Sequence, residues 1–386
     1  MKVPFNRPYI TGTELKYIED LIRNIKTGWT ISGDGYYTKK VNDFFESRFS
    51  ATKALMTTSC TSALELATHL LNLQPGDEVI VPSFTFVSTV NPVLLVGAKP
   101  VFAEIKEDTL NIDPDDIRRK LNSKTKAIYP MHYAGVACEM DEIMEIASEN
   151  NLAVVEDAAQ GVNAQYKNKY LGTIGDFGCY SFHETKNYVC GEGGALLINR
   201  DDKTVQERAE VIREKGTNRS KFYRGEIDKY SWVDIGSSYL PSDILAAFLY
   251  AQLEKLDEIQ QSRVRVYNAY KVALKPFEDK RLLRLPIVPD YAQHNAHLFY
   301  ILFNDHATRD IVMDRLTAMG ILAVFHYIPL HSAPMGMKLG YKEGALPITE
   351  SISRRLLRLP MYAGMTNEEL EYVISALNSV IEKAVK

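Results

Sequence analysis

Between residues 78 and 198, short apolar runs alternate with longer stretches in which apolar side chains recur every third or fourth position. The short runs, at 78–81, 100–105, 126–129, 152–156, 177–182 and 194–198, predict buried strands. Helices are predicted at 61–71, where Leu64, Ala67, Leu70 and Leu71 share one side, at 88–96, after Ile112-Asp113-Pro114, and at 139–149. Upstream, 14–25 and 36–49 read as helices on either side of a turn-rich loop at 27–35. Short strands joined by helical crossovers imply a largely parallel sheet with helices on both faces, some pairs being antiparallel. From about residue 240 the pattern changes. A long helical stretch at 243–274 ends near Pro276, and strand-like 296–303 precedes a helix at 307–319. A run at 321–326 and helices at 349–357 and 366–384 complete a compact α+β arrangement. Two domains are expected, 1–240 as a large α/β domain with an N-terminal helical segment and 241–386 as a connecting helix with a smaller C-terminal domain.

In such sheets ligands gather beyond the C-terminal strand edges. Asp157 falls at that edge, after the apolar run Leu152-Ala153-Val154-Val155-Glu156, and Lys186 lies in the loop after 177–182. An acid and an amine at neighbouring strand ends can grip one flat heterocycle, the acid at a ring nitrogen and the amine at a ring aldehyde. That pairing suits pyridoxal 5'-phosphate (PLP), a cofactor that needs a phosphate cradle, a surface against its ring, an acid at N1, a partner for O3' and a lysine for its aldehyde. Thr57-Thr58-Ser59-Cys60-Thr61-Ser62 opens the helix at 61–71. Its hydroxyls and free N–H groups can hold a phosphate, and the same cluster also serves as an ordinary helix cap. Gln160 is near enough to reach O3', and Ser181 can reach the phosphate or cap a turn. Phe86, beyond a strand, can stack on the ring or pack in the core. Gly191-Glu192-Gly193-Gly194 permits close backbone approach near Lys186 or forms a hairpin turn.

Composition narrows the remaining classes. Of 386 residues, 45 are Lys or Arg and 49 are Asp or Glu, and no long run of one sign appears, so nucleic acid and anionic membranes are poor partners. Cys60, Cys138, Cys179 and Cys190 are widely spaced in apolar or glycine-rich surroundings, which suits buried thiols in a reducing compartment. Neither a signal peptide nor a run of about 18 apolar residues is visible, so a cytoplasmic protein is expected. His132, His183, His326 and His331 are dispersed and lack a matching cysteine or carboxylate cluster, so no metal site is expected. No dinucleotide fingerprint or Walker motif occurs in the required context.

Three stretches in order, Pro82-Ser83-Phe84-Thr85-Phe86, Val155-Glu156-Asp157-Ala158-Ala159-Gln160-Gly161, and Ser181-Phe182-His183 followed by Lys186, resemble the DegT-type nucleotide-sugar aminotransferases over nearly the whole chain. These are fold-type I PLP enzymes, so the resemblance implies a seven-stranded, mainly parallel sheet. Three further stretches, 132–141, 181–187 and 213–230, are similar to the branch that aminates dTDP-4-dehydro-6-deoxy-D-glucose in enterobacterial common antigen biosynthesis. The resemblance implies that Lys186 forms the imine, Asp157 faces the pyridine nitrogen, Gln160 lies by O3', Phe86 stacks, and Thr61, Ser62 and Ser181 serve the phosphate. It implies L-glutamate as amino donor and a homodimer with shared active sites. The family's cross-subunit asparagine is replaced here by Ser238, which donates a hydrogen bond with shorter reach. Asn218, Arg219, His326 and His331 fall in segments that would hold the nucleotide-sugar. Related dehydratases carry histidine at the lysine position, which points away from dehydration. An enzyme making the gluco epimer or acting at C-3, or a non-catalytic sugar-binding homologue, would share much of this pattern.

Overall fold

The computed structural model describes residues 1–384. A seven-stranded sheet forms its centre, built from β1 (Lys53–Thr57), β2 (Glu78–Pro82), β3 (Lys99–Ala103), β4 (Thr125–Ile128), β5 (Ala153–Asp157), β6 (Phe177–Ser181) and β7 (Gly194–Ile198). The order across the sheet is β1-β7-β6-β5-β4-β2-β3. Pairs from β3 through β6 are parallel, and β7 runs antiparallel to both β6 and β1. Because β7 alone is reversed, the ends of β1, β2, β4, β5 and β6 and the start of β7 meet at one edge. The register lines Thr57, Gly194 and Ser181 along that edge, with Asp157 opposite Cys179 one strand further on.

Burial explains why these segments read as unbroken apolar runs. Every residue of β6 and β7 is buried, as expected for strands covered on both faces. Helices α1 (Glu14–Asn24), α2 (Tyr36–Phe49) and α3 (Cys60–Leu70) pack around the sheet and the helix Asp243–Glu254. Val41, Phe45 and Phe49 of α2 join one core cluster, and Ala63, Leu64 and Ala67 of α3 join another on the opposite face.

Four local differences from the pattern have identifiable causes. β1 is a seventh strand with no polar alternation, reached through Ser50 at φ 60° as the C-cap of α2. The stretch at 88–96 is split into a short 3-10 turn and the helix Asn91–Leu95, with Pro92 in its first turn; that is where proline is tolerated. The long stretch from Asp243 is two helices, Asp243–Glu254 and Leu256–Asp279, and the second runs past Pro276 to end three residues later. The strand-like run at 296–303 pairs only from Phe299, since Ala296 adopts φ 51°, while Ala292–Gln293 just before it pairs antiparallel with Gln165–Tyr166.

The C-terminal body carries a three-stranded antiparallel sheet of β8 (Leu283–Arg284), β9 (Phe299–Phe303) and β10 (Leu356–Leu359), in the order β8-β9-β10. Its core draws on Val266, Tyr270, Phe299, Leu357, Leu377 and also Val3, whose backbone bridges to Ile321. The first residues of the chain are thus packed on the C-terminal body. Among the described residues, no helix is long and apolar enough to cross a membrane.

Candidate active site

A cavity of about 450 Å³ opens at the edge where the strand ends converge. Its lining includes Ser59, Cys60 and Thr61 from α3, Phe86, Asp157, Gln160, Ser181, Lys186 and His326. It also includes Phe5, His297, Tyr327 and Arg358, which come from the N-terminal segment and the C-terminal body.

Asp157 is the last residue of β5, and its carboxylate is fixed on both oxygens. Oδ2 accepts from Thr89 Oγ1 at 2.6 Å, Oδ1 accepts from the Ala159 N–H at 3.1 Å, and Thr89 Oγ1 in turn lies 2.7 Å from Thr85 Oγ1. This chain of hydroxyls holds the acid, and among the described residues no basic side chain forms a salt bridge with it. Gln160 is oriented by the Ala134 N–H, which donates to Oε1 at 2.7 Å, while Nε2 donates to Tyr327 Oη at 3.1 Å. A carboxamide nitrogen carries two protons, so one remains for a ligand oxygen.

Lys186 lies in a loop closed on itself. The Phe182 N–H donates to the Gly193 carbonyl, the Cys190 N–H to that of Phe182, the Glu184 N–H to that of Gly191, and the Lys186 N–H to that of His183. The next residue, Asn187, donates to the Asn295 carbonyl and lies 2.9 Å from His297 Nδ1, tying the loop to the C-terminal body. Burial pushes the Lys186 amine below the usual lysine range, against the opposing charges of Cys60 and Asp157, and the Arg358 charge adds to the depression. Burial likewise holds His297 and His326 well below the usual imidazole range, aided by the positive charges of Arg358 and Lys186.

Helix α3 turns its N-terminus to the cavity. Ser59 is its N-cap, in extended conformation, with Oγ accepting from the Ser62 N–H. The N–H groups of Cys60 and Thr61 precede any intrahelical acceptor, and the helix dipole favours negative charge there. Thr61 Oγ1 donates to Ser88 Oγ at 2.8 Å. Gly194 has a steric reason: a Cβ at that position would run into the Ser59 backbone. The glycine run therefore lets the start of β7 pass against the cap of α3.

The candidates separate by place. Thr61, Phe86, Asp157, Gln160, Ser181, Lys186 and His326 share the cavity. Ser62 sits behind Thr61, with Oγ 2.8 Å from Thr58 Oγ1 and 3.0 Å from Ser59 Oγ. Ser238 and Arg219 line a different cavity of about 1080 Å³, together with Trp29, Tyr36, Arg213 and Arg224. There Arg219 pairs with Glu214 at 3.0 Å. Asn218 lies outside both cavities and accepts from the Ser231 N–H at 2.7 Å. His331 lies outside both as well, fully buried between Ser83 Oγ at 2.7 Å and Glu350 Oε1 at 2.8 Å, where it ties β2 to the helix Pro347–Arg355. Thr89, His297 and Arg358 enter the site without any local motif to announce them, because each is brought there by long-range packing.

The donor set fits PLP: an anion cradle, a fixed carboxylate, an orienting carboxamide and an amine converge on one cavity, with the close approach at Gly194 shaping its phosphate end.

Residues 10–378 match the profile of the DegT/DnrJ/EryC1/StrS aminotransferase family. The chain is similar to the spore coat polysaccharide biosynthesis protein SpsC of Bacillus subtilis (strain 168), with 33% identity over 99% of this chain and 98% of that protein. Among solved structures, DesV of S. venezuelae superposes with a TM-score of 0.87 at 29% identity, covering 100% of this chain and 99% of the other. A Streptococcus pneumoniae protein in its PLP-form superposes with a TM-score of 0.91 at 24% identity over 100% of both chains, a likeness of fold.

Proposed function

The chain belongs to the DegT/DnrJ/EryC1/StrS aminotransferase family and is a PLP-dependent enzyme, and from that premise we propose that it transfers the amino group of L-glutamate to C-4 of dTDP-4-dehydro-6-deoxy-D-glucose. The products are dTDP-4-amino-4,6-dideoxy-D-galactose and 2-oxoglutarate, in the reaction that serves enterobacterial common antigen biosynthesis. One observation supports the reading above all: Lys186 and Asp157 line a single cavity together with Gln160 and the N-terminus of α3.

When bound, PLP supplies an electron sink for the carbon that loses its proton. Lys186 would hold the cofactor's aldehyde carbon and Asp157 its ring nitrogen. Gln160 would hold the ring hydroxyl, Phe86 the ring face, and Thr61, Ser62 and Ser181 the phosphate. Lys186 Nζ would serve as general base at the donor α-carbon in one half of the reaction and as general acid at C-4 of the sugar in the other. Burial lowers its basicity relative to a surface lysine, which favours the neutral amine that a base requires. Asp157, held by Thr89 and the Ala159 N–H, would present its carboxylate to the ring nitrogen. In the expected homodimer, Ser238 of the partner subunit reaches the phosphate in place of an asparagine.

The test is incubation of the pure protein with PLP, L-glutamate and dTDP-4-dehydro-6-deoxyglucose, with the C-4 configuration read from NMR coupling constants. The galacto product and stoichiometric 2-oxoglutarate are expected. A gluco product, or amination at C-3 of a 3-keto sugar in place of this substrate, would overturn the assignment.

A further inference from the structure

The cavity holds a cation that the chemistry above leaves unused. Arg358 sits in β10, clamped on both sides by backbone, with Tyr300 of β9 opposite in register and Val324 exchanging bonds of 2.7 and 3.1 Å with it. Its side chain lines the cavity beside Lys186, His297, His326 and Tyr327. Its Nε is buried and has no hydrogen-bond partner. Among the described residues, no carboxylate pairs with the guanidinium and no side chain or carbonyl accepts from it; its close neighbour is the Phe5 ring, 4.5 Å from Cζ to the ring centroid. Burial lowers the basicity of the guanidinium, while Tyr133 and Tyr327 oppose that effect. A half-buried guanidinium whose Nε is shut off from water is destabilised unless an anion completes it. Of the two carboxylates in the same lining, Asp157 already has Thr89 and the Ala159 N–H as partners, and Glu192 lies 3.6 Å from His183 Nε2.

On the reading that Lys186 is the reacting amine, we propose that Arg358 is the residue that recognises the carboxylate of the amino donor. An α-amino acid delivers its amine to the position that Lys186 Nζ vacates, and its carboxylate is attached to the very carbon that bears that amine. The negative charge must therefore lie close to the reacting centre, inside this cavity. A sugar nucleotide carries its phosphates on the anomeric carbon, across the pyranose ring from C-4, so its charge lies away from the reacting centre. The planar fork of a guanidinium matches a carboxylate with two parallel hydrogen bonds. Phe5 backs the guanidinium and leaves its edges for that contact. Arg358 is thus a specificity residue for the first half of the reaction, while the sugar half has no anion to offer it.

Two measurements on the holoenzyme test this. Succinate, a dicarboxylate without an amine, is titrated calorimetrically into wild type, Arg358→Gln and Arg358→Lys. The two half-reactions are then followed separately by the visible absorbance of the cofactor, first with L-glutamate and then with the dTDP-keto sugar. Arg358→Gln should weaken succinate and raise the glutamate concentration needed for half-maximal rate by roughly ten- to hundred-fold, with Arg358→Lys between the two. Its sugar half-reaction should stay within about threefold of wild type, a difference below 1 kcal/mol, with unchanged cofactor absorbance. Wild-type succinate affinity in Arg358→Gln, or a loss confined to the sugar half, would overturn the inference. If wild type itself fails to react with glutamate but aminates the sugar from another donor, the donor in the proposed reaction is wrong while the carboxylate titration still decides the role of Arg358.

Discussion

At the scale of single residues, the site depends on two charges of opposite sign prepared in different ways. Lys186 is made less basic by burial, so a larger fraction of its amine is unprotonated at neutral pH than for a surface lysine. Lys186→Ala should lose transamination by roughly 10²- to 10⁴-fold or more, with PLP retained non-covalently through the α3 end and Asp157. Borohydride reduction followed by peptide mapping checks the assignment, since label on any other lysine would refute it. Asp157 is prepared by hydrogen bonds, each oxygen having one donor. Asp157→Asn removes the charge but keeps the shape, and should slow single-turnover reduction by glutamate about ten- to hundred-fold. An unchanged stopped-flow rate in that variant would show that the carboxylate does not tune the ring. Both residues stand out in the chain because each ends an apolar run. Arg358 does not, because its setting is made by Tyr300 and Val324, which are distant in sequence.

At the scale of elements, the same contrast separates what the chain announces from what it conceals. The helix Tyr36–Phe49 and the strand Gly194–Ile198 have the bounds that periodicity predicts, since each is set by its own spacing of buried positions. β1 is concealed because its strand character comes from pairing with β7, far along the chain. β10 is concealed because helical spacing continues through Arg355 before the backbone turns extended at Leu356. The C-terminal end of β5 shows how one strand serves two purposes, its successive side chains pointing to opposite faces. Asp157 turns to the cavity. Glu156, fully buried, accepts from the N–H groups of Gly172, Ile174 and Gly175 and lies 2.9 Å from His132 Nε2. The Cys138 N–H donates to His132 Nδ1, so the ring directs its proton to the carboxylate. Glu156→Gln places an amide donor among donors and should destabilise the fold by about 3 kcal/mol or more. The urea midpoint should fall while kcat below the transition stays near wild type, because Glu156 faces away from the cavity. A large fall in kcat at unchanged midpoint would contradict the division of labour between the two acids.

At the scale of the whole molecule, the second cavity and its rim call for a partner of their own. Trp232 is 81% exposed, and Val233, Ile235 and Tyr230 are each more than half exposed. This apolar segment leads directly to Ser238, which lines the 1080 Å³ cavity with Tyr223 and Trp29. A large aromatic left in water beside other apolar side chains marks an association surface more often than an isolated exposed residue does. Another copy of the chain would cover it and carry Ser238 toward a neighbouring phosphate site, as expected for a homodimer with shared active sites. Wild type should then sediment at twice the chain mass, and Trp232→Asp should shift the population toward the single chain. The monomeric fraction should also release PLP faster on dialysis, because it lacks the hydroxyl from its partner. Ser238→Ala separates the two effects: it should leave the sedimentation of the dimer unchanged while speeding PLP release severalfold. If Trp232→Asp remains a dimer that retains PLP as wild type does, this surface is not the subunit contact. If Ser238→Ala retains PLP as wild type does, the phosphate is held within one chain.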